Sequence, residues 1–360
     1  MKIDVVFAVE DPGAANFILD MPEELNKINY SSAILTFGNA SKFLTNKGIH
    51  NFNCSNIKNV HEILEGFSFE ILVAGTSQNS NSIILKLIKE CRSNSIYTIG
   101  VVDMAADSNL RFKGNSKESL FYAPEFLIVP DELTLKNFVY LGFNERNIFK
   151  LMHPALTRLK NKACLIPKEF IDNKRKSILK NFSEDTEIWL FAFEHNHDQR
   201  LFRDSQYTIK GRNKSNKRIN IILEEILEIK KTRLVKPFFI LRLHPKNQLE
   251  DYIEYLDEID LIDDSPDPLE LILCSDIVIG STTIFLLEAA YLGKPTLSII
   301  PKKGEEEWSP SIVNKMTPYA YTTEQIISEL DGYKKNHFKE VKIDNKISIS
   351  TIIKRILKSS

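Results

Sequence analysis

The chain has 360 residues, 43% hydrophobic and 26% charged, with 13 Gly and 14 Pro, a length that favours two domains over one core. Its 47 basic and 48 acidic side chains leave a formal net charge of −1, which excludes a general field for nucleic acid or an anionic membrane. No apolar run reaches the ~18 residues that would cross a bilayer.

The N-terminus enters a strand directly and carries no signal-peptide pattern. Alternation of apolar runs and helical periodicity predicts strands over 3–9, 32–37, 70–74, 97–102 and 126–129. Helices are predicted near 15–27, 40–47, 60–65 and 80–93, with 133–141 following the last strand. Such alternation implies a parallel sheet covered by helices. His153-Pro154 and Ile166-Pro167 interrupt the pattern, and 168–181 is basic and helical. A second alternating set runs through 188–193, a helix near 219–233, 238–243, a helix near 249–256, 259–262, 268–274 and 277–279. A helix then opens after Gly280, and a strand covers 296–300. Residues 347–358 form an amphipathic helix. The expected organisation is an N-terminal domain over 1–155, a connection over 156–185, a second domain over 186–340 and a terminal helix over 341–360. Two tandem doubly wound α/β domains place ligands beyond the carboxyl ends of their strands, in a central cleft. Cys54, Cys91, Cys164 and Cys274 have no paired spacing and read as reduced thiols of a cytoplasmic protein.

Several strand ends carry polar chemistry. Glu10-Asp11-Pro12-Gly13-Ala14-Ala15-Asn16 follows the first strand. It offers Asp11 or Glu10 as a base and small residues for substrate approach; the bland alternative is that Asp11 only caps the next helix. Asp103 closes the strand over 97–102, with Arg111 in the same loop. Glu194-His195-Asn196-His197-Asp198 opens a polar insertion reaching Lys217. Its spacing fits no metal signature, and Glu194 and His195 are read as substrate contacts. Arg242-Leu243-His244-Pro245-Lys246 ends an apolar strand, and Pro245 fixes the direction of His244. His244 and Lys246 suit a diphosphate or a departing phosphate.

The most informative stretch is Ser275–Ala290. Ile277, Val278 and Ile279 end a buried strand, Gly280 lets the backbone turn, and Ser281, Thr282 and Thr283 open a helix. A helix start with free N–H groups binds anions, phosphate above all. Glu288 follows one to two turns later, within reach of a ribose or sugar hydroxyl. Gly293 is read as a helix C-cap, and Pro301–Trp308 as a solvated loop.

These pieces resemble glycosyltransferases of the two-Rossmann-domain GT-B type from bacterial surface-polysaccharide synthesis. Leu243-His244-Pro245 is similar to the His-Pro motif of bacterial sialyltransferases, Kdo transferases and glycerophosphotransferases. Gly280–Thr283 with Glu288 and Gly293-Lys294-Pro295 resembles the nucleotide-binding helix of GT-B enzymes and of UDP-N-acetylglucosamine 2-epimerases. Glu10-Asp11-Pro12-Gly13 resembles an acidic-acidic-Gly motif with a proline inserted. The resemblance implies that a nucleotide-activated sugar is held by Glu194, His195, Arg242, His244, Pro245, Lys246, Gly280, Ser281, Thr282, Thr283 and Glu288. It implies a glycan acceptor, free or lipid-linked, near Glu10, Pro12, Gly13, Asn16 and Arg111, with Asp11 or Asp103 as general base and His244 on the leaving phosphate. The donor it favours is a CMP-linked nonulosonic or Kdo-like acid, with a UDP-sugar or CDP-glycerol as alternatives, and no metal or other cofactor is implied. A 2-epimerase or a non-catalytic nucleotide-sugar binder shares the same features. Basic stretches at 168–180 and 210–218 would allow a peripheral contact with anionic lipid at the inner membrane face.

Overall fold

The computed structural model describes residues 2–76, 78–105, 107–194, 204–244, 247, 249–265, 267–334 and 347–358. The chain divides into two compact units, Met1–Thr157 with Ile343–Ser360, and Arg158–Lys342.

In the first unit the elements run β1 (Lys2–Val9), α1 (Pro12–Ile18), α2 (Met21–Asn26), β2 (Ser32–Thr36), α3 (Asn39–Asn46), β3 (Phe52–Asn53), α4 (Val60–Gly66) and β4 (Ser68–Gly75). They continue with α5 (Ile83–Ser93), β5 (Tyr97–Val101), β6 (Phe126–Val129), α6 (Glu132–Tyr140) and β7 (Ile148–Lys150). Among the described residues the seven strands form one sheet in the order β3-β2-β1-β4-β5-β6-β7, and every pairing is parallel. β1 sits at its centre, with Val5, Val6, Phe7, Ala8 and Val9 fully buried, as a strand covered on both faces requires. The chain winds from β1 outward to β3, then returns to the other side of β1 at β4. The β1/β4 boundary is therefore the switch point, where loops diverge and leave a crevice.

The helix predicted over 15–27 is two helices. α1 begins three residues earlier, with Pro12 in its first turn, and α2 restarts with Pro22 in its first turn. Proline lacks the N–H that a continuous helix would need at that position. Strands β3 and β7, two and three residues long at the sheet edges, are too short to leave a period in the sequence.

The second unit contains most of α7 (Pro154–Cys164), then α8 (Lys168–Ile178), β8 (Ile188–Ala192), α9 (Arg218–Thr232), β9 (Phe238–Arg242) and β10 (Leu261–Asp263). There follow α10 (Leu269–Cys274), β11 (Ile277–Gly280), α11 (Ile284–Tyr291), β12 (Thr296–Ile299), α12 (Pro310–Val313), β13 (Tyr319–Ala320) and α13 (Thr323–Gly332). Six strands pair in the order β10-β9-β8-β11-β12-β13 among the described residues, again all parallel. Here the switch point lies between β8 and β11. The helix predicted near 249–256 is a 3₁₀ helix, Leu249–Glu258. The polar insertion after Glu194 is not a free loop where it is described. Tyr207 and Ile209 enter the core, Thr208 Oγ1 donates to the Pro301 carbonyl at 2.8 Å, and Arg212 pairs with Glu258 and Glu228.

The last helix, α14 (Ile349–Lys358), belongs to the first unit. Ile349, Ile352, Ile353 and Ile356 fall on one helical face and pack in the same core cluster as Val5, Phe7 and Ile18. The Ser350 N–H donates to Glu24 at 3.2 Å. No helix among the described residues is long and apolar enough to cross a membrane.

Candidate functional site

Each unit gathers polar side chains at the switch point of its own sheet. In the first unit the cluster comes from the loops after β1, β4 and β5. Asp11 stands at the N-cap position of α1 in extended conformation, yet its side chain makes no capping bond. The capping alternative therefore fails, and the carboxylate is left to the loop cluster. Burial raises the Asp11 carboxyl above its ordinary range, the charges of Glu10 and Asp103 raise it further, and Arg111 opposes them. Arg111, itself buried, approaches Asp103 Oδ1 at 3.4 Å; that oxygen is buried without a hydrogen bond. Glu10 accepts from Asn79 Nδ2 at 2.6 Å and so ties the β1 loop to the β4 loop. Gly13 is needed where it stands, because a Cβ there would lie 2.4 Å from Asp103 Oδ2. Pro12 is exposed and Asn16 half-buried on α1. The structure thus brings Glu10, Asp11, Gly13, Asp103 and Arg111 together.

In the second unit the cluster is built at the ends of β8, β9 and β11. Thr283 caps α11, its side chain accepting from the Phe285 N–H at 3.2 Å. Thr283→Ala is expected to cost about 1 kcal/mol in an unfolding titration, without displacing the strand before it. Ser281 turns inward, its hydroxyl donating to the Ile299 carbonyl at 2.8 Å, so it ties β11 to β12. Gly280 ends β11 beneath Thr283 and Leu286. The Thr282 N–H donates to Glu194 Oε1, and the Thr282 hydroxyl contacts both Glu194 oxygens at 3.2 and 3.3 Å. The turn expected to open the helix with outward donors therefore has one N–H, just before the Thr283 N-cap, taken by the protein's own carboxylate.

Glu194 continues inward to Arg218 Nη1 at 3.3 Å, and Arg218 Nε donates to Glu305 at 2.8 Å. Arg218 is fully buried and Glu305 nearly so; within Pro301–Trp308, read as a solvated loop, Glu305 thus turns inward while Lys303, Gly304, Glu307 and Trp308 stay exposed. The loop after β9 joins the same cluster. Asn247 donates from its backbone to the His244 carbonyl at 2.8 Å and from its side chain to the Glu194 carbonyl at 3.1 Å. His244 is half-buried there. His195, Pro245 and Lys246 lie outside the described residues. Arg242 is engaged by Asp263 and by the Ser265 carbonyl, with its guanidinium 5.7 Å from the Phe285 ring.

Glu288 lies on α11, partly covered. Burial pushes its carboxyl up to about 7, against the opposing charge of Arg242. A carboxyl that titrates near 4.5 unfolded and near 7 folded holds its proton better in the folded state. Its folded form therefore loses stability as pH rises through that window. Glu288→Gln is expected to gain about 1–2 kcal/mol on the natural protein between pH 5 and pH 8. Urea titrations at both values check it; a difference that does not change with pH would refute it.

Solved structures give the frame. The UDP-GlcNAc 2-epimerase of Methanocaldococcus jannaschii is similar over 100% of both chains at 17% identity, with a TM-score of 0.65. A glycosyltransferase from Rickettsia africae is similar over 100% of both chains at 13% identity and TM-score 0.65. The UDP-GlcNAc 2-epimerase of Neisseria meningitidis, solved bound to UDP-GlcNAc, is similar over 100% of both chains at 16% identity and TM-score 0.62. No protein-family model and no curated protein sequence matches the chain. The chain has the GT-B fold. In this GT-B chain the two clusters lie at the carboxyl ends of the strands, each at a switch point. Sequence reasoning missed Arg218, Glu305, Asn79 and Asn247. Arg218 and Glu305 are separated by 87 positions, and neither stands in a motif that could have signalled the other.

Proposed function

We propose that the protein is a glycosyltransferase that moves a sugar from a nucleotide-activated donor to a hydroxyl of a surface glycan, free or lipid-linked. The observation that carries this reading is the turn just before α11, where the Thr282 N–H already binds an anionic group and Glu288 follows on the helix. The second unit holds the donor. Its phosphate takes donors at Thr282 and lies by His244, while Glu288 meets a ribose hydroxyl. The first unit serves the acceptor, with Asp11 as general base. Its raised affinity for a proton suits removal of a hydroxyl proton as that oxygen attacks the anomeric carbon. The bond from that carbon to the phosphate oxygen breaks, and its electron pair leaves with the nucleotide. The helix start and His244 stabilise the charge that develops. Asp103, fixed between Arg111 and Gly13, positions the base and keeps its pKa raised. His244-Pro245 favours a CMP-linked acid as donor; likeness to a structure holding UDP-GlcNAc supports a uridine nucleotide.

The test is a thermal-shift panel of CMP, UDP, CDP and GDP. One nucleotide is expected to stabilise the protein, by about 2.7 kcal/mol at a hundredfold excess over its Kd, and the shift is expected to vanish in His244→Ala. Asp11→Asn should keep the shift and slow transfer. A panel without any shift refutes the reading. A second reading, a nucleotide-sugar 2-epimerase, is favoured by the likeness to two such enzymes. Conversion of UDP-GlcNAc at C2 without any acceptor, followed by NMR, would establish it instead.

A further inference from the structure

Glu194 sits where the second unit would hold a ligand's phosphate. Its Oε1 accepts from the Thr282 N–H, and its carboxylate touches the Thr282 hydroxyl. The Thr282 N–H lies one residue before the Thr283 N-cap of α11, and a carboxylate and a phosphate present the same kind of charged acceptor to it, so the two compete for one seat. The independent observation lies deeper. Arg218 is fully buried, and its guanidinium donates from Nε to Glu305 at 2.8 Å and from Nη1 to Glu194 at 3.3 Å. Its Nη2 has no hydrogen-bond partner among the described residues. A buried charged donor left unmade is costly, and a guanidinium offers Nη1 and Nη2 as a fork matched to both oxygens of one carboxylate. Glu194 uses half of that fork, because its other oxygen is held at Thr282.

We propose that Glu194 is an internal stand-in for the ligand phosphate, with two seats, one at Thr282 and one on the Nη1–Nη2 edge of Arg218. An arriving phosphate takes the Thr282 donors and repels the carboxylate, which closes on Arg218 and satisfies its orphaned nitrogen. Arg218 is thereby the receiving cation of the site, and no strand-end or helix-start motif identifies it. Two outcomes follow for the ligand. The resting protein binds phosphate groups more weakly than its donors alone would allow. After transfer, the return of Glu194 to Thr282 helps to expel the spent nucleotide.

The proposal rests on the nucleotide reading above, and the experiment separates the two. Binding of UDP, CMP and inorganic pyrophosphate is measured by calorimetry on the natural protein and on Glu194→Gln, which keeps an acceptor for the Thr282 N–H and removes the charge. The variant is expected to bind the preferred nucleotide, and pyrophosphate, at least tenfold more tightly. Equal or weaker binding by the variant, with binding by the natural protein intact, overturns the proposal and leaves the nucleotide reading standing. Failure of both proteins to bind any of the three overturns both. If the variant does not fold, a crystal structure of the natural protein with its nucleotide decides. Glu194 on Nη1 and Nη2 of Arg218 supports the proposal, and Glu194 still at Thr282 refutes it.

Discussion

Replacing Arg218 with methionine is expected to lower the stability of the second unit by about 3–5 kcal/mol. The side chain is 0% exposed and lies between Glu194 and Glu305. Methionine fills much of the same volume, so the loss is electrostatic. It leaves two carboxylates, one of them only 5% exposed, without the cation that justified their burial. Burial already raises the Glu305 carboxyl, and Arg218 opposes that shift; without Arg218 the carboxyl rises further and takes up a proton more readily. The penalty should therefore shrink as pH falls from 7 towards 4. A second change, Glu305→Met in the same chain, should recover most of the loss, because a buried pair exchanged for apolar side chains is often neutral. Urea titrations of the single and double variants at pH 7 check both statements. A single variant as stable as the natural protein would mean that the network contributes nothing.

On the transfer reaction proposed above, Gly13→Ala is expected to cut turnover by about 10²-fold, because displacing a group that positions the base by about 1 Å has that effect. The added Cβ would sit 2.4 Å from Asp103 Oδ2 and 3.6 Å from its Cγ. Asp103 cannot yield freely, because Arg111 stands on its other oxygen. Overpacking of this kind costs about 1–3 kcal/mol, so the variant should fold. Gly66→Ala is the control, since a Cβ there meets nothing within 4 Å at the end of a helix; it should leave turnover unchanged and stability equal or up to about 1 kcal/mol higher. If Gly13→Ala retains full turnover in a transfer assay, the Asp11–Asp103 pair does not serve the reaction.

Much of the fold is legible in the chain because its signals are local. Ile277–Gly280 and the helix after it announce themselves through an apolar run, a glycine and a capping hydroxyl, all within ten residues. The meeting of Asp11 and Asp103 is legible by position, since both follow the carboxyl ends of parallel strands of one sheet beside its switch point. The helix break at Leu19–Asp20 was legible in Pro22 and was overridden by the apolar period around it. The pairing of Arg218 with Glu194 and Glu305 was not legible. Three residues from three segments, the loop after β8, the start of α9 and the loop after β12, meet only in the folded unit. Glu194 at Thr282 was hidden for the same reason, and it turns a helix start read as open into one already engaged.

The placement of α14 bears on how the protein is made. Its isoleucines complete the apolar core that Val5 and Phe7 begin, so the first unit to leave the ribosome is the last to be finished. The second unit, Arg158–Lys342, must be synthesised first, which takes on the order of ten to forty seconds at ~5–20 residues per second. Throughout that interval the nascent first unit carries an open apolar seat.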